Sequence, residues 1–199
     1  GIALRDGTLV MPTQGRDEKD QRFSNLMISR DHGKSWSVSA PASVGNNECQ
    51  AVELSDGSIM LNCRSVRPIR FRTVAVTQDL GKSWTPHPTS RKTLIEPNCN
   101  GSTYRFEYQS ADRSGSVLLF ANPHSQTSRS KHTIQVSFDE GLTWPKAYHL
   151  LLDADSGAGY PSLSRVDDSH VGIVYEGSRS QLVFERISVS ELLTKQMTE

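Results

Sequence analysis

The stretch Ser137-Phe138-Asp139-Glu140-Gly141-Leu142-Thr143-Trp144 recurs in this chain as Ser29-Arg30-Asp31-His32-Gly33-Lys34-Ser35-Trp36 and as Thr77-Gln78-Asp79-Leu80-Gly81-Lys82-Ser83-Trp84. All three tryptophans stand at its last position. Each copy sets an Asp two residues before a Gly, the chemistry of a tight turn: the carboxylate accepts backbone N–H bonds and the glycine takes a positive φ. Such a turn closes a hairpin. Ser or Thr at the first and seventh positions is expected to pair across it, with the indole laid over the loop. A single copy would be an ordinary hairpin turn, whereas three in the same order describe a repeat protein.

Working outward, each of these turns is preceded by a second turn signal. Asp6-Gly7 leads into Thr8–Met11, Asp56-Gly57 into Ser58–Leu61 and Arg113-Ser114-Gly115 into Ser116–Phe120, while Asp167-Asp168 leads into His170–Tyr175. The repeating unit therefore reads strand, turn, strand, loop, strand, Asp-box turn, strand. Short strands at this spacing predict an all-β chain of β-propeller type, with one four-stranded blade per unit. Blade units fall at about 1–45, 48–93, 96–152 and 160–188, the last with three strands near 160–166, 170–175 and 182–188. The count predicts an incomplete arc of about four blades, with the missing strand and further blades upstream of Gly1. The tail from Glu191 to Glu199 has little β character and reads as a short helix or a frayed end.

Composition bounds the partners. Lys+Arg and Asp+Glu both number 22 in 199 residues, so no net field draws the chain to nucleic acid. No run of eighteen apolar residues offers a membrane span. Cys49, Cys63 and Cys99 lack metal-ligand spacing and read as buried thiols. The six histidines show no metal pattern either and read as surface residues. Arg67, Arg70 and Arg72 read as loop charges, and Asp31, Asp79 and Asp139 as structural turn residues.

Strand direction sorts the remaining polar residues. In an up-and-down blade the first strand starts, the second ends and the third starts on one face, with the Asp boxes on the other. Glu48 and Tyr160 begin first strands, Arg64 and Glu176 end second strands, and Arg129 lies between a second and a third strand. Two arginines, two glutamates and a tyrosine thus share the predicted mouth, where ligand sites of closed β architectures sit. Pro161 predicts an extended backbone for Tyr160.

These residues carry a resemblance. The Asp boxes, Asn47-Glu48-Cys49-Gln50-Ala51-Val52-Glu53-Leu54 with Asp56-Gly57 and Asn62-Cys63-Arg64, then Gly159-Tyr160-Pro161-Ser162-Leu163 and Tyr175-Glu176-Gly177, resemble a sialidase (neuraminidase) of the bacterial and animal type over nearly the whole chain. Glu48 and Arg64 stand as far apart in sequence as Tyr160 and Glu176. The resemblance implies a six-bladed propeller that removes terminal α-linked sialic acid with retention and without cofactor or metal. It implies Tyr160 as nucleophile with Glu48 as its base, the Tyr160 hydroxyl close to the Glu48 carboxylate. Arg64 and Arg129 would be two of three arginines on the substrate carboxylate, and Glu176 would orient the third. Sialylated glycans are the implied partners, and a secreted, periplasmic or cell-surface location the implied setting.

The family's first arginine and its acid/base aspartate have no counterpart before Glu48, so these residues alone are expected to be a catalytic fragment with little activity. Two other readings stay open. A non-catalytic propeller that binds sugars or proteins would keep the Asp boxes without needing a Tyr and a Glu together, and a trans-sialidase would share all five residues.

Overall fold

The computed structural model describes residues 1–66, 69–109 and 114–195, which form two compact units, Gly1–Leu94 and Ile95–Glu199. Unit 1 holds two antiparallel sheets. The first runs in the order β1 (Ile2–Ala3), β2 (Leu9–Arg16), β3 (Arg22–Ser29) and β4 (Ser37–Val38), with β5 (Ser43–Val44) pairing back onto β3. The second runs β6 (Asn46–Glu53), β7 (Ile59–Ser65), β8 (Thr73–Thr77) and β9 (Thr85–Pro86). Unit 2 holds β10 (Ser102–Gln109), β11 (Ser114–Pro123), β12 (His132–Ser137) and β13 (His149–Asp153) in one sheet. Its other sheet has three strands, β14 (Gly159–Asp167), β15 (His170–Glu176) and β16 (Leu182–Ser188). Each sheet is an antiparallel meander in chain order, so the chain is all-β and its four sheets are blades of the β-propeller class.

The outer strand of the first blade is broken in two, which the turn signals do not predict. After β4 the backbone keeps contact with β3 through Ser39 N–H to Leu26 O and Ala42 N–H to Ser24 O, and then forms β5. Pro41 stands inside that interval and has no N–H to continue the ladder.

Alternation decides which faces are buried. In unit 1, Leu4, Val10, Leu26 and Ile28 of the first blade pack with Cys49, Ala51, Ile59, Leu61 and Cys63 of the second. In unit 2, Phe106, Leu119, Ile134 and Val136 pack against Leu163, Val171, Ile173 and Tyr175. All three cysteines are buried and none forms a disulfide among the described residues. Three charged or titratable side chains depart from the sequence reading. Arg72, read as a loop charge, is 1% exposed, and His132 is fully buried on the face of β12 that also carries Ile134 and Val136. The sequence His132-Thr133-Ile134-Gln135-Val136 holds that alternation, so the signal was present. His87 is buried as well, again unlike a surface residue. Arg70 is exposed, and Arg67 lies outside the described residues.

The Asp boxes repeat one hydrogen-bond pattern, with a difference from the expected hydroxyl pairing. In the first, Asp31 accepts from the Ser29 hydroxyl at 2.8 Å, the Ser35 N–H at 2.8 Å and the Ser35 hydroxyl at 2.6 Å. The two hydroxyls therefore meet on the carboxylate instead of on each other, and the Ser29 oxygen accepts Gly33 N–H. Asp79 and Asp139 are bonded in the same way. Both the residue before the glycine and the glycine itself take positive φ: 58° and 86° at His32 and Gly33, 56° and 78° at Leu80 and Gly81, and 59° and 82° at Glu140 and Gly141. The Trp36 and Trp144 indoles cap their own loops, on Gly33 O and Gly141 O. Trp84 instead donates to Ala40 O of the preceding blade, so this box also ties two blades of unit 1 together.

Of the earlier turns, Asp6 and Asp56 accept from Thr8 and Ser58 as turn carboxylates should. Ser114 and Gly115 are already strand, paired with Gln109 and Tyr108, and the turn before them lies outside the described residues. The chain after β16 forms α1 (Val189–Leu193), capped by the Ser188 hydroxyl on Glu191 N–H; residues 196–199 are outside the description. Among the described residues no helix is long and apolar enough to cross a membrane.

These carboxylates predict an acid sensitivity. Hydrogen bonds from the Ser35 hydroxyl and N–H, with Ser29, lower the Asp31 pKa from 3.8 to about 2; the Ser83 N–H and hydroxyl, with Thr77, do the same for Asp79. A carboxyl whose folded pKa is depressed stabilises the fold above its unfolded value, and that contribution disappears as pH falls through the folded value. The window here is pH 3.8 down to about 2. Asp31→Asn with Asp79→Asn is expected to melt lower at neutral pH and to lose less further stability across that window than wild type. Thermal melts from pH 7 to pH 2 check this, and parallel curves for the two proteins would remove the assigned role.

Candidate active site

In unit 1 the strand pair β6 and β7 carries a bulge at its end. Asn46 pairs with Ser65 and Cys49 with Cys63, so Asn47 and Glu48 together oppose Arg64. Bulges of this two-against-one kind re-aim side chains at the rims of sheets. Here the result is that Arg64 Nη1 donates to Glu48 Oε2 at 2.7 Å, with both side chains partly exposed. The same two strands also carry buried amides. Asn46, Asn47 and Asn62 are buried, and the Asn62 carbonyl oxygen accepts from Arg72 Nε at 2.7 Å. Neither side-chain polar atom of Asn46 has a hydrogen-bond partner, nor do Asn47 Oδ1 and Asn62 Nδ2. A buried amide without a partner costs stability.

Unit 2 repeats the device in the pair β14 and β15. Gly159 pairs with Glu176 and Ser162 with Val174, leaving Tyr160 and Pro161 against the single residue Tyr175. Tyr160 has φ of 44°, in the left-handed region, and not the extended backbone predicted from the following proline. The pairing on either side overrides the local preference, because two residues must fit where one is opposed and the extra one leaves the extended ladder. Holding a non-glycine residue there costs about 1–3 kcal/mol, and such strain gathers at active sites.

Three of the candidate residues meet around this bulge. The Arg129 guanidinium carbon lies 5.3 Å from the Tyr160 ring centroid, within cation–π range. A Cβ placed on Gly159 would lie 3.2 Å from Cys99 Sγ, 3.5 Å from Glu176 Oε2 and 3.9 Å from Arg129 Cδ. Gly159 is therefore the open position around which the Glu176 carboxylate, the Arg129 stem and buried Cys99 close. About one third of Tyr160 remains exposed (36%). The Arg129 loop is secured to the segment leading into Tyr160 by Gly157 N–H donating to Arg129 O at 2.8 Å.

Unit 1 thus brings Glu48 together with Arg64, and unit 2 brings Tyr160 together with Arg129 and Glu176. Residue types and spacing pointed to these five. They did not point to Gly159, Cys99 or the Arg72–Asn62 contact. A glycine before the tyrosine was the one available signal, since a Cβ there would crowd the Cys99 sulfur.

Residues 1–173 match the BNR repeat-like domain family. A sialidase of Bacteroides fragilis is 37% identical over 193 residues, 97% of this chain and 35% of that protein. A sialidase of Micromonospora viridifaciens is also 37% identical, over 186 residues that make up 88% of this chain and 28% of that protein. Among solved structures, the Hadza microbial sialidase Hz136 superposes with a TM-score of 0.87 at 38% identity, covering 96% of this chain and 37% of the other. The chain spans about a third of the length of these relatives. Three Asp boxes on four antiparallel blades, and a family match over most of the sequence, place this chain in the BNR repeat-like domain family, with sialidases among the proteins it is similar to.

Proposed function

We propose that the protein to which these residues belong is an exo-α-sialidase that hydrolyses terminal α-linked sialic acids of glycoproteins, glycolipids or oligosaccharides with retention. The observation that carries this reading is the Gly159–Tyr160 bulge, where a partly exposed tyrosine ring sits under the Arg129 guanidinium beside the Glu176 carboxylate.

The anomeric carbon of sialic acid bears a carboxylate. An anionic Asp or Glu nucleophile would be repelled by it, whereas a neutral phenol can approach and lose its proton on attack. Tyr160 Oη attacks the anomeric carbon, its proton passes to Glu48, and the glycosidic oxygen leaves with a proton from an acid. Water then attacks the tyrosyl-linked intermediate, and the second inversion restores the configuration. Arg64 and Arg129 hold the substrate carboxylate, for which a guanidinium fork is matched in geometry. Glu176 orients a further arginine. The leaving-group acid and that arginine are assigned to residues outside these 199, so this stretch alone is expected to turn over little. Such glycans are displayed outside the cytoplasm, and a secreted, periplasmic or cell-surface protein would meet them.

The test is hydrolysis of an aryl α-sialoside by the full-length protein, followed by proton NMR from the first minutes. The α-anomer of sialic acid is expected first and the β-anomer only by later mutarotation. Release of the β-anomer first would overturn retention, and absence of release would favour a non-catalytic sugar-binding propeller. Adding a galactoside acceptor to the same reaction distinguishes hydrolysis from transfer.

A further inference from the structure

Tyr175 is the single residue opposed to the Tyr160–Pro161 bulge, and its ring is 3% exposed. It stacks on the imidazole of His132 with centroids 4.5 Å apart and planes 8° from parallel, while its hydroxyl donates to Glu185 Oε1 at 2.7 Å. His132 is fully buried, and neither ring nitrogen has a hydrogen-bond partner. Burial lowers its pKa from 6.5 to about 4, so the ring is neutral at physiological pH. A buried imidazole with two unpaired nitrogens is costly. The contact that His132 makes is through its ring face, on Tyr175.

Its place in the fold gives that face a use. His132 is the first residue of β12 and pairs with Pro123, the last of β11, so the two together form the base of the loop that carries Arg129. That base is closed by His124 N–H to Lys131 O at 2.9 Å. Arg129 stands three residues before His132, with its guanidinium over Tyr160. One side of the stack therefore carries the arginine loop and the other backs the tyrosine bulge. We infer that the His132–Tyr175 stack is a positioning element that sets the Arg129 guanidinium over Tyr160 and toward the substrate carboxylate. This rests on the roles proposed above for Tyr160 and Arg129. His132 and Tyr175 act through those residues and touch no substrate themselves.

The experiment is steady-state hydrolysis of an aryl sialoside by the full-length protein carrying His132→Ala, His132→Phe or Tyr175→Phe, each also melted thermally. Removing the ring in His132→Ala frees the loop base, and loss of carboxylate binding shared by ground and transition states is expected to raise KM about tenfold with kcat near wild type. KM does not depend on how much of the protein is folded, so a destabilised variant still reports on positioning. His132→Phe keeps the stack and removes two unpaired nitrogens; wild-type KM and an unchanged or higher melting temperature are expected. Tyr175→Phe keeps the stack and loses only the bond to Glu185, and wild-type KM is expected there too. An unchanged KM in His132→Ala, or an equal rise in His132→Ala and His132→Phe, overturns the inference. Tyr160→Phe assayed alongside separates the two levels. Retained turnover in it removes the functional reading together with this one, whereas lost turnover combined with an unmoved KM in His132→Ala removes the positioning role alone.

Discussion

Tyr160→Phe in the full-length protein is expected to lower hydrolysis of an aryl sialoside by about a thousandfold or more, since the attacking oxygen is gone and no neighbouring group replaces it. Binding of an unsaturated sialic acid analogue should stay near wild type. The substitution is informative because so little else changes at this position. The two-against-one pairing with Tyr175 and the φ of 44° belong to the backbone, and the ring under Arg129 is retained in phenylalanine. Substitution by Ala would remove the ring beneath the Arg129 guanidinium as well as the hydroxyl, mixing loss of chemistry with loss of binding. Turnover and analogue affinity measured on one preparation check the outcome. Wild-type turnover by Tyr160→Phe would remove the tyrosine from its role as nucleophile. Loss of both turnover and analogue binding would place its contribution in holding the site together.

The second large effect is expected at Arg64. Arg64 Nη1 donates to Glu48, and a guanidinium is a planar fork of five N–H donors whose geometry matches a carboxylate. Lysine keeps the charge as a single point. In Arg64→Lys the ammonium can serve Glu48 or the ligand, and losing one charge-assisted bond of about 1.5–3 kcal/mol weakens analogue binding by about ten- to a hundredfold. KM should rise with it, while the melting temperature holds close to wild type because the pair is partly exposed. Isothermal titration with the analogue gives the affinity directly. Unchanged affinity would show that Arg64 holds Glu48 and does not reach the substrate.

Much of this was open to inspection in the sequence. The Asp boxes are the clearest case, because donors and acceptors lie within eight residues: Asp31, Ser29, Ser35 and Gly33 satisfy one another whatever surrounds them. The same locality applies to Asp6 with Thr8 and Asp56 with Ser58, and it marks out the strands between these turns. Strand order in the meanders follows, since a short turn admits only an antiparallel neighbour. With direction known, Glu48, Arg64, Arg129, Tyr160 and Glu176 could be assigned to strand ends and one loop without coordinates.

Properties that depend on pairing between distant residues could not be read in this way. The left-handed backbone of Tyr160 results from how Gly159 and Ser162 register on Glu176 and Val174, and the local rule from Pro161 pointed to the opposite conformation. The bulge that turns Glu48 onto Arg64 is of the same origin. Arg72 looked like a loop charge because nothing nearby in sequence shows that it reaches Asn62, ten residues away on β7. Trp84 shares its motif with Trp36 and Trp144, yet Ala40 of the preceding blade takes its indole N–H. By itself, then, the sequence determined the all-β blades, their turns and the identity of the candidate site residues, through hydrogen bonds and alternation that close within a few positions. Tertiary structure alone decided where those side chains point, because register, bulges and buried polar contacts are settled by which distant strand supplies the partner.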